Sequence, residues 1–176
     1  MKILDFPEIK QTFKYDCGAN ALESIFSFYG LDILEEEIIK IAKTVDKTGT
    51  PILGMLKAIR HFGLKANIKY LEINDLKKLI NKKMPVILRI QAWSGKKDND
   101  WKNDWSHGHY VVVIGYDKNK IYFEDPWSIK RTFLTFEELK HRWHDVDIDG
   151  KKYCNCGIVF TGKKAKYNLN KAIHMD

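Results

Sequence analysis

Apolar residues keep a helical spacing as far as Gly63 and a strand spacing through most of the chain beyond it, and that switch narrows the possible folds more than any other feature. Leu22, Ile25, Phe26 and Tyr29 fall at i, i+3, i+4 and i+7, and Gly30 comes next, where a helix commonly stops. A second helix is predicted over 35–45, with Ile38, Ile41, Ala42 and Val45 on one face. Thr50 before Pro51 reads as a cap with proline at the first helical position, opening a third helix with Ile52, Met55, Leu56 and Ile59 that ends near Gly63. From 65 to 70 the period becomes that of a strand. Asn74 is expected to cap a short helix carrying Leu76, Leu79 and Ile80, and Lys82-Lys83-Met84-Pro85 ends it. Residues 86–92 are dense enough in Val, Ile and Leu for a central strand. A polar loop over 93–108 precedes strands at 109–116, 121–124 and 130–134. A helix capped by Thr135 then runs to about Trp143, and a last edge strand is expected at 157–161. Helices first and mostly antiparallel strands afterwards make an α+β chain, a helical half packed on a sheet half.

At 176 residues and 44% hydrophobic, the chain suits one domain with a sizeable core. Neither a repeat nor a linker divides it, so the domain is drawn at 1–162, with 163–176 as a basic tail in which Lys163, Lys164, Lys166 and Lys171 face only Asp176. The start lacks a signal peptide's apolar core, and there is no run of about eighteen apolar residues, which predicts a cytoplasmic protein with no membrane partner. The net charge of +7 is spread without a basic stripe on any recognisable motif, so nucleic acid is not an expected partner. Three cysteines, an odd number, argue against a disulfide framework.

The chemistry starts at Gln11-Thr-Phe-Lys-Tyr-Asp-Cys17-Gly. Cys17 stands at or just before the first turn of the first helix, where unpaired N–H groups and the positive end of the helix dipole favour a thiolate. Gln11, just upstream, is placed to donate a side-chain N–H to a developing oxyanion beside the Cys17 backbone N–H. A thiolate needs a base, and six histidines are available. His61 falls on the polar side of its helix, and His141, His144 and His174 come late among charged residues. His107 and His109 precede the most apolar strand, Tyr110-Val-Val-Val-Ile114.

The hairpin after that strand separates these two. If Asp117-Lys118-Asn119 is a three-residue connection, Tyr116 pairs with Lys120, Val111 with Asp125 and His109 with Trp127. His109 and Asp125 are then diagonal neighbours on one face, roughly 7–8 Å apart by Cβ, a gap that an imidazole and a carboxylate close. His107 has the same parity but lies one step further out, so His109 is the expected base. Asp125 would fix its tautomer and stabilise its positive charge.

Gln11, Cys17-Gly18, His109-Tyr-Val-Val-Val-Ile-Gly115-Tyr116 and Glu124-Asp125-Pro126, in that order, resemble the papain-like cysteine peptidases. Within them the resemblance is to the family that processes double-glycine leaders of bacteriocins, together with its free-standing relatives. It covers roughly residues 8 to 145. It implies a papain-like fold and hydrolysis of a peptide or protein substrate through an acyl-enzyme, without metal or cofactor. Cys17 would be the nucleophile, His109 the base and then the acid, Asp125 the orienting residue and Gln11 the oxyanion donor. Asp16, Gly18, Trp105, Gly108 and Trp127 are the candidates for lining the substrate groove. Leader peptidases are typically fused to a membrane transporter and an ATPase, which this chain does not carry, and the tryptophan loop is not an expected family feature. Cleavage after Gly-Gly is therefore not part of the expectation. Acyl transfer, deamidation and plain peptide binding in the same groove stay open.

Other constellations compete for a role. His141-x-x-His144 with Cys154-x-Cys156 supplies four zinc-type ligands, though Cys-x-Cys is an unusual spacing. Asp98, Asp100 and Asp104 suggest calcium only faintly, without the turn glycine and closing Glu of that motif. Gly157–Lys164 resembles a phosphate loop but ends in Lys where a hydroxyl belongs. Trp93, Trp101, Trp105 and Trp127 either line a groove or cap the core.

Overall fold

A computed structural model describes residues 1–172, 174 and 175; Asp176, the single acid set against the basic tail, lies outside the described residues. The first helix, α1 (Cys17–Phe28), is buried nearly all round, with Leu22, Ile25 and Phe26 wholly inside. Gly30, in a left-handed conformation (φ 74°), closes it. The next helix, α2 (Glu35–Ala42), is shorter than its apolar pattern suggests. It stops where Lys43 turns left-handed (φ 56°), and Val45 is left half-exposed in a small turn closed by Gly49 N–H donating to the Val45 carbonyl (2.8 Å).

The third helix, α3 (Ile52–His61), crosses that end so closely that a Cβ on Gly54 would stand 2.0 Å from the Ala42 carbonyl oxygen. Its N-cap is Pro51, not Thr50. The Thr50 hydroxyl pairs instead with that of Thr44 (2.8 Å), and Ile52 N–H is met by the carboxylate of Asp147 (3.3 Å). An acid far along the chain thus occupies the positive end of α3.

The sheet half begins with β1 (Lys2–Ile3), joined after α3 by β2 (Lys65–Tyr70). Helix α4 (Ile73–Asn81) comes next, then β3 (Val86–Gln91), β4 (Gly108–Tyr116), β5 (Lys120–Glu124) and β6 (Thr132–Thr135). Helix α5 (Phe136–Arg142) precedes a small hairpin of β7 (His144–Val146) and β8 (Lys152–Cys154), and β9 (Cys156–Thr161) ends the sheet. The order is β2-β9-β3-β4-β5-β6, antiparallel throughout, and β1 pairs the last two residues of β4. The predicted edge strand, β9, is therefore an interior one, hydrogen-bonded to β2 on one side and β3 on the other. Its Val, Ile and Phe are buried to match.

Helix α4 starts one residue before Asn74, because Asp75 takes the Glu72 N–H (3.1 Å) and Glu72 becomes the cap. Thr135 caps α5 reciprocally with Glu138: Glu138 N–H donates to the Thr135 hydroxyl (3.2 Å) and Thr135 N–H to the Glu138 carboxylate (2.8 Å). Helix α1 packs on β4, so the start of the helix and the start of the strand meet at one end of the interface. At the opposite end, Lys166 and Tyr167 N–H both donate to the Phe28 carbonyl (3.0 and 3.1 Å), which pins the first part of the basic tail to the end of α1. No helix among the described residues is long and apolar enough to cross a membrane.

Candidate active site

Cys17 is the first residue of α1 and half-buried, with Asp16 at the N-cap and no acid in the first turn to oppose a negative sulfur. Across from it, His109 sits near the start of β4, buried. Its Nε2 lies 2.7 Å from Asp125 Oδ1, and Cys17 is the second hydrogen-bond partner of the ring. Burial works against charge on this imidazole. The hydrogen bond with Asp125 and then the bond and charge of Cys17 overcome it, pushing His109 up to about 10. Asp125 is itself well supplied with donors, from Trp127 N–H (3.0 Å) to Oδ1 and the Thr132 hydroxyl (3.1 Å) to Oδ2. Burial raises its carboxyl, but His109 and these donors hold it below the usual value.

The hairpin that brings the two together is not the one drawn from the sequence. Tyr116 pairs with Ile121 rather than Lys120, because the Asp117 side chain takes the N–H groups of Asn119 and Lys120 (3.0 and 2.8 Å) and makes a four-residue loop. A bulge between Val113 and Gly115 absorbs the extra residue, so that Val112 pairs with Glu124. The register at the mouth of the strand is the expected one, although the register at the turn is not.

Gln11 is buried, and its backbone N–H donates to the carbonyl of Pro126 (2.9 Å), the residue after Asp125. Its side-chain Nε2 donates to the Phe13 carbonyl, with the amide's second N–H left over. Two depressions flank the 11–17 segment. One, of about 320 Å³, opens on Cys17 and is lined by Tyr15, Thr50, Trp105, Gly108, Tyr110 and Asp145. The other, of about 640 Å³, is bordered by Gln11, Phe13, Tyr15 and Trp127. Of the groove candidates, Trp105 and Gly108 line the first depression and Trp127 the second. Asp16 and Gly18 line neither: Asp16 is wholly buried, and Gly18 lies under Thr50 and Tyr110, where a Cβ would come within 2.7 Å.

His107 points elsewhere, its Nδ1 2.7 Å from Asp104 and its backbone N–H on Gln91 (2.8 Å). The four candidate zinc ligands do not form one site, although His144 and Cys154 are partners across the β7–β8 hairpin. His141 is exposed, His144 Nε2 donates to the Asp104 carbonyl (2.7 Å), Cys154 is exposed and Cys156 buried. No group of three or more His, Cys, Asp or Glu among the described residues is placed to hold a metal ion. Trp101 lies under Arg142 (3.9 Å) and Trp93 borders an apolar groove behind Asp125, so only two of the four tryptophans face the thiol's surroundings.

Sequence reasoning missed a buried ion network beneath the smaller depression. Arg89 on β3 bonds Asp145 (2.7 Å), Asp147 (3.0 Å) and the Val146 carbonyl (2.9 Å). The signal was present: Arg89 is a lone charge in an otherwise apolar central strand, and two acids at alternate positions share one face of a strand. Glu124 was also passed over. Buried beside Asp125, it accepts from Ile9 N–H (3.4 Å), and burial, then the charge of Asp125, pushes it up to about 8.

Three comparisons with known proteins bear on the family and the fold. The profile of the peptidase C39 family matches residues 5–149. The pediocin PA-1 transport/processing ATP-binding protein PedD of Pediococcus acidilactici is 27% identical over 134 residues, 76% of this chain and 17% of its own length. The chain therefore spans less than a fifth of that curated relative. Among solved structures, a double-glycine motif protease from an AMS/PCAT transporter, in complex with the leader peptide, matches with a TM-score of 0.64 at 22% identity, covering 92% of this chain and 94% of that one. A putative C39-like peptidase from Bacillus anthracis matches at 0.66 and 17% identity, covering 94% and 98%.

Proposed function

Because this chain belongs to the peptidase C39 family and is a papain-like cysteine peptidase, we propose that it cleaves a peptide substrate by a Cys17–His109–Asp125 triad, with Gln11 as oxyanion donor. The observation that carries the reading is the position of His109, held by Asp125 on one side and meeting Cys17 on the other.

In this reaction the Cys17 sulfur attacks the scissile carbonyl, and the imidazolium of His109 gives its proton to the departing amine. Charge develops on the carbonyl oxygen, where the Cys17 backbone N–H at the start of α1 and the free N–H of Gln11 Nε2 receive it. Water then attacks the thioester, His109 taking its proton, and the sulfur leaves. Asp125 holds the ring in one tautomer through both steps. Its turn also fixes Gln11, since Pro126 binds the Gln11 backbone.

The family profile and the relatives make a peptide with a double-glycine leader the first substrate to try. The chain would be incubated with such a precursor peptide, and the products weighed by mass spectrometry beside Cys17→Ala. Cleavage at one bond, absent in the variant, is the expected result. An intact peptide together with a Cys17 that iodoacetamide alkylates no faster than a free thiol would overturn the peptidase reading.

A further inference from the structure

Two aromatic side chains stand in solvent beside the proposed triad, and each is tied through its backbone to a residue that the reaction uses. Phe13 is 51% exposed. Its carbonyl accepts from Gln11 Nε2, and its N–H donates to Asp16 Oδ2 (2.8 Å). Trp127 is 42% exposed, and its N–H donates to Asp125 Oδ1 (3.0 Å). Tyr15 stacks on Phe13, the ring centroids 5.4 Å apart and the planes 7° from parallel. All three rings border the depression of about 640 Å³ that Gln11 also borders. A ring held in the open by a fixed backbone loses little freedom when a second apolar group covers it, so these rings make a preformed contact surface.

We propose that this depression is the subsite for the leaving half of the substrate, taking an apolar side chain next to the cleaved bond and an acidic residue beyond it. The assignment rests on the peptidase reading. Cys17 lines the smaller depression and not this one, and the acyl half of a substrate stays bonded to the Cys17 sulfur. The amine half therefore has the other side of the 11–17 segment. Lys14 and Tyr15 border both depressions, so one extended peptide lies across the pair without a break. On the amine side the rings supply the apolar contact. The charged residues bordering that depression are Lys10 and Lys14, both exposed, and neither is in an ion pair among the described residues. Two unmatched cations around apolar walls attract a carboxylate that follows the apolar side chain and repel a lysine in its place. The smaller depression has no such surplus from its guanidinium, because Arg89 is already matched by Asp145 and Asp147 (2.7 and 3.0 Å).

Deacylation reads this subsite directly, because an amine that occupies it competes with water for the acyl-enzyme. The full chain is acylated on Cys17 with the p-nitrophenyl ester of acetylglycine, p-nitrophenolate leaving. An added dipeptide amide then attacks the thioester through its α-amino nitrogen. The C–N bond forms, the C–S bond breaks and the amine's proton passes to His109, which restores the thiolate–imidazolium pair. Mass spectrometry gives the ratio of peptide product to free acetylglycine for Phe-Glu, Ala-Glu and Phe-Lys amides at one concentration, with the product formed beside Cys17→Ala subtracted. Phe-Glu amide should capture the acyl group about tenfold better than Ala-Glu amide, through cover of its ring. It should also outdo Phe-Lys amide by about threefold, the scale of an exposed charge contact. Phe13→Ala and Trp127→Ala, which keep the backbone bonds, should bring Phe-Glu to within about twofold of Ala-Glu, while Trp127→Phe keeps most of the preference. Equal capture of Phe-Glu and Ala-Glu overturns the proposal, as does a preference that both alanine variants retain. So does Phe-Lys captured as well as Phe-Glu, or an acyl-enzyme from which no amine diverts the acyl group. A chain in which Cys17 takes up no acyl group removes the peptidase reading, and the subsite falls with it; a chain that is acylated and hydrolyses without amine preference keeps that reading and loses only the subsite.

Discussion

Asp145 lies directly on Gly108: a Cβ at Gly108 would stand 2.4 Å from both of its carboxylate oxygens. The residue before the proposed base is thus in contact with the acid that pairs with Arg89 at 2.7 Å. Gly108→Ala must drive that carboxylate away from the guanidinium. Arg89→Met strands two buried acids and should cost about 3–5 kcal/mol, the usual loss when one partner of a buried pair is removed. Urea unfolding of both single variants and the double variant checks the link. The double variant should lose clearly less than the sum of the two, because both changes break one network.

Asp125 is the largest influence raising His109 against its burial. That direction sets the sign for stability: a histidine at about 10 in the folded chain and about 6.5 unfolded contributes fully below pH 6.5, and that contribution is lost as pH rises towards 10. Nitrogen-15 NMR of the imidazole should show it protonated through neutral pH in the wild type. In Asp125→Asn the midpoint should move down, and turnover should fall roughly tenfold or more with it.

Removing the oxyanion donor leaves the nucleophile in place. Gln11→Ala keeps the backbone bond to Pro126 (2.9 Å) and should lower turnover by about 10²–10³-fold. Alkylation of Cys17 by iodoacetamide, which builds no oxyanion, should stay within about twofold of the wild type. Equal loss in both assays would mean that Gln11 serves the fold instead.

Glu124 gives the opposite pH sign from an ordinary paired carboxylate. Raised to about 8 by burial and by Asp125, it favours the folded chain most below its unfolded value near 4.5, and loses that advantage as pH climbs to 8. Glu124→Gln cannot ionise, so its unfolding free energy should fall less between pH 5 and 8 than the wild type's, by an amount on the order of a few kcal/mol. Urea titrations at the two pH values measure the difference.

Local patterns carried the sequence reading a long way. Lys65–Tyr70 forms the strand drawn for it, Cys17 opens its helix, and Thr135 caps the helix drawn after it. The contact of His109 with Asp125 came from hairpin arithmetic whose turn was misplaced by one residue and whose bulge restored the count. What escaped depends on partners distant in the chain. Thr50 has the chemistry of a cap, but Asp147, 95 residues beyond Ile52, takes that place. The interior position of β9 is set by pairing with β2 and β3, which no property of Cys156–Thr161 alone distinguishes from an edge. Asp16 looked like a groove residue because it neighbours the thiol, while its burial comes from Phe13 and the packing of α1.

The anchoring of Lys166 and Tyr167 to the Phe28 carbonyl has a practical use. It fixes the point from which the tail departs at the far end of α1, eleven residues or about 16 Å of helix from Cys17. A fluorophore, an affinity handle or a solid support attached beyond Tyr167 would therefore hang from the side of the protein remote from the thiol. The enzyme can be immobilised there with its reactive face turned outward.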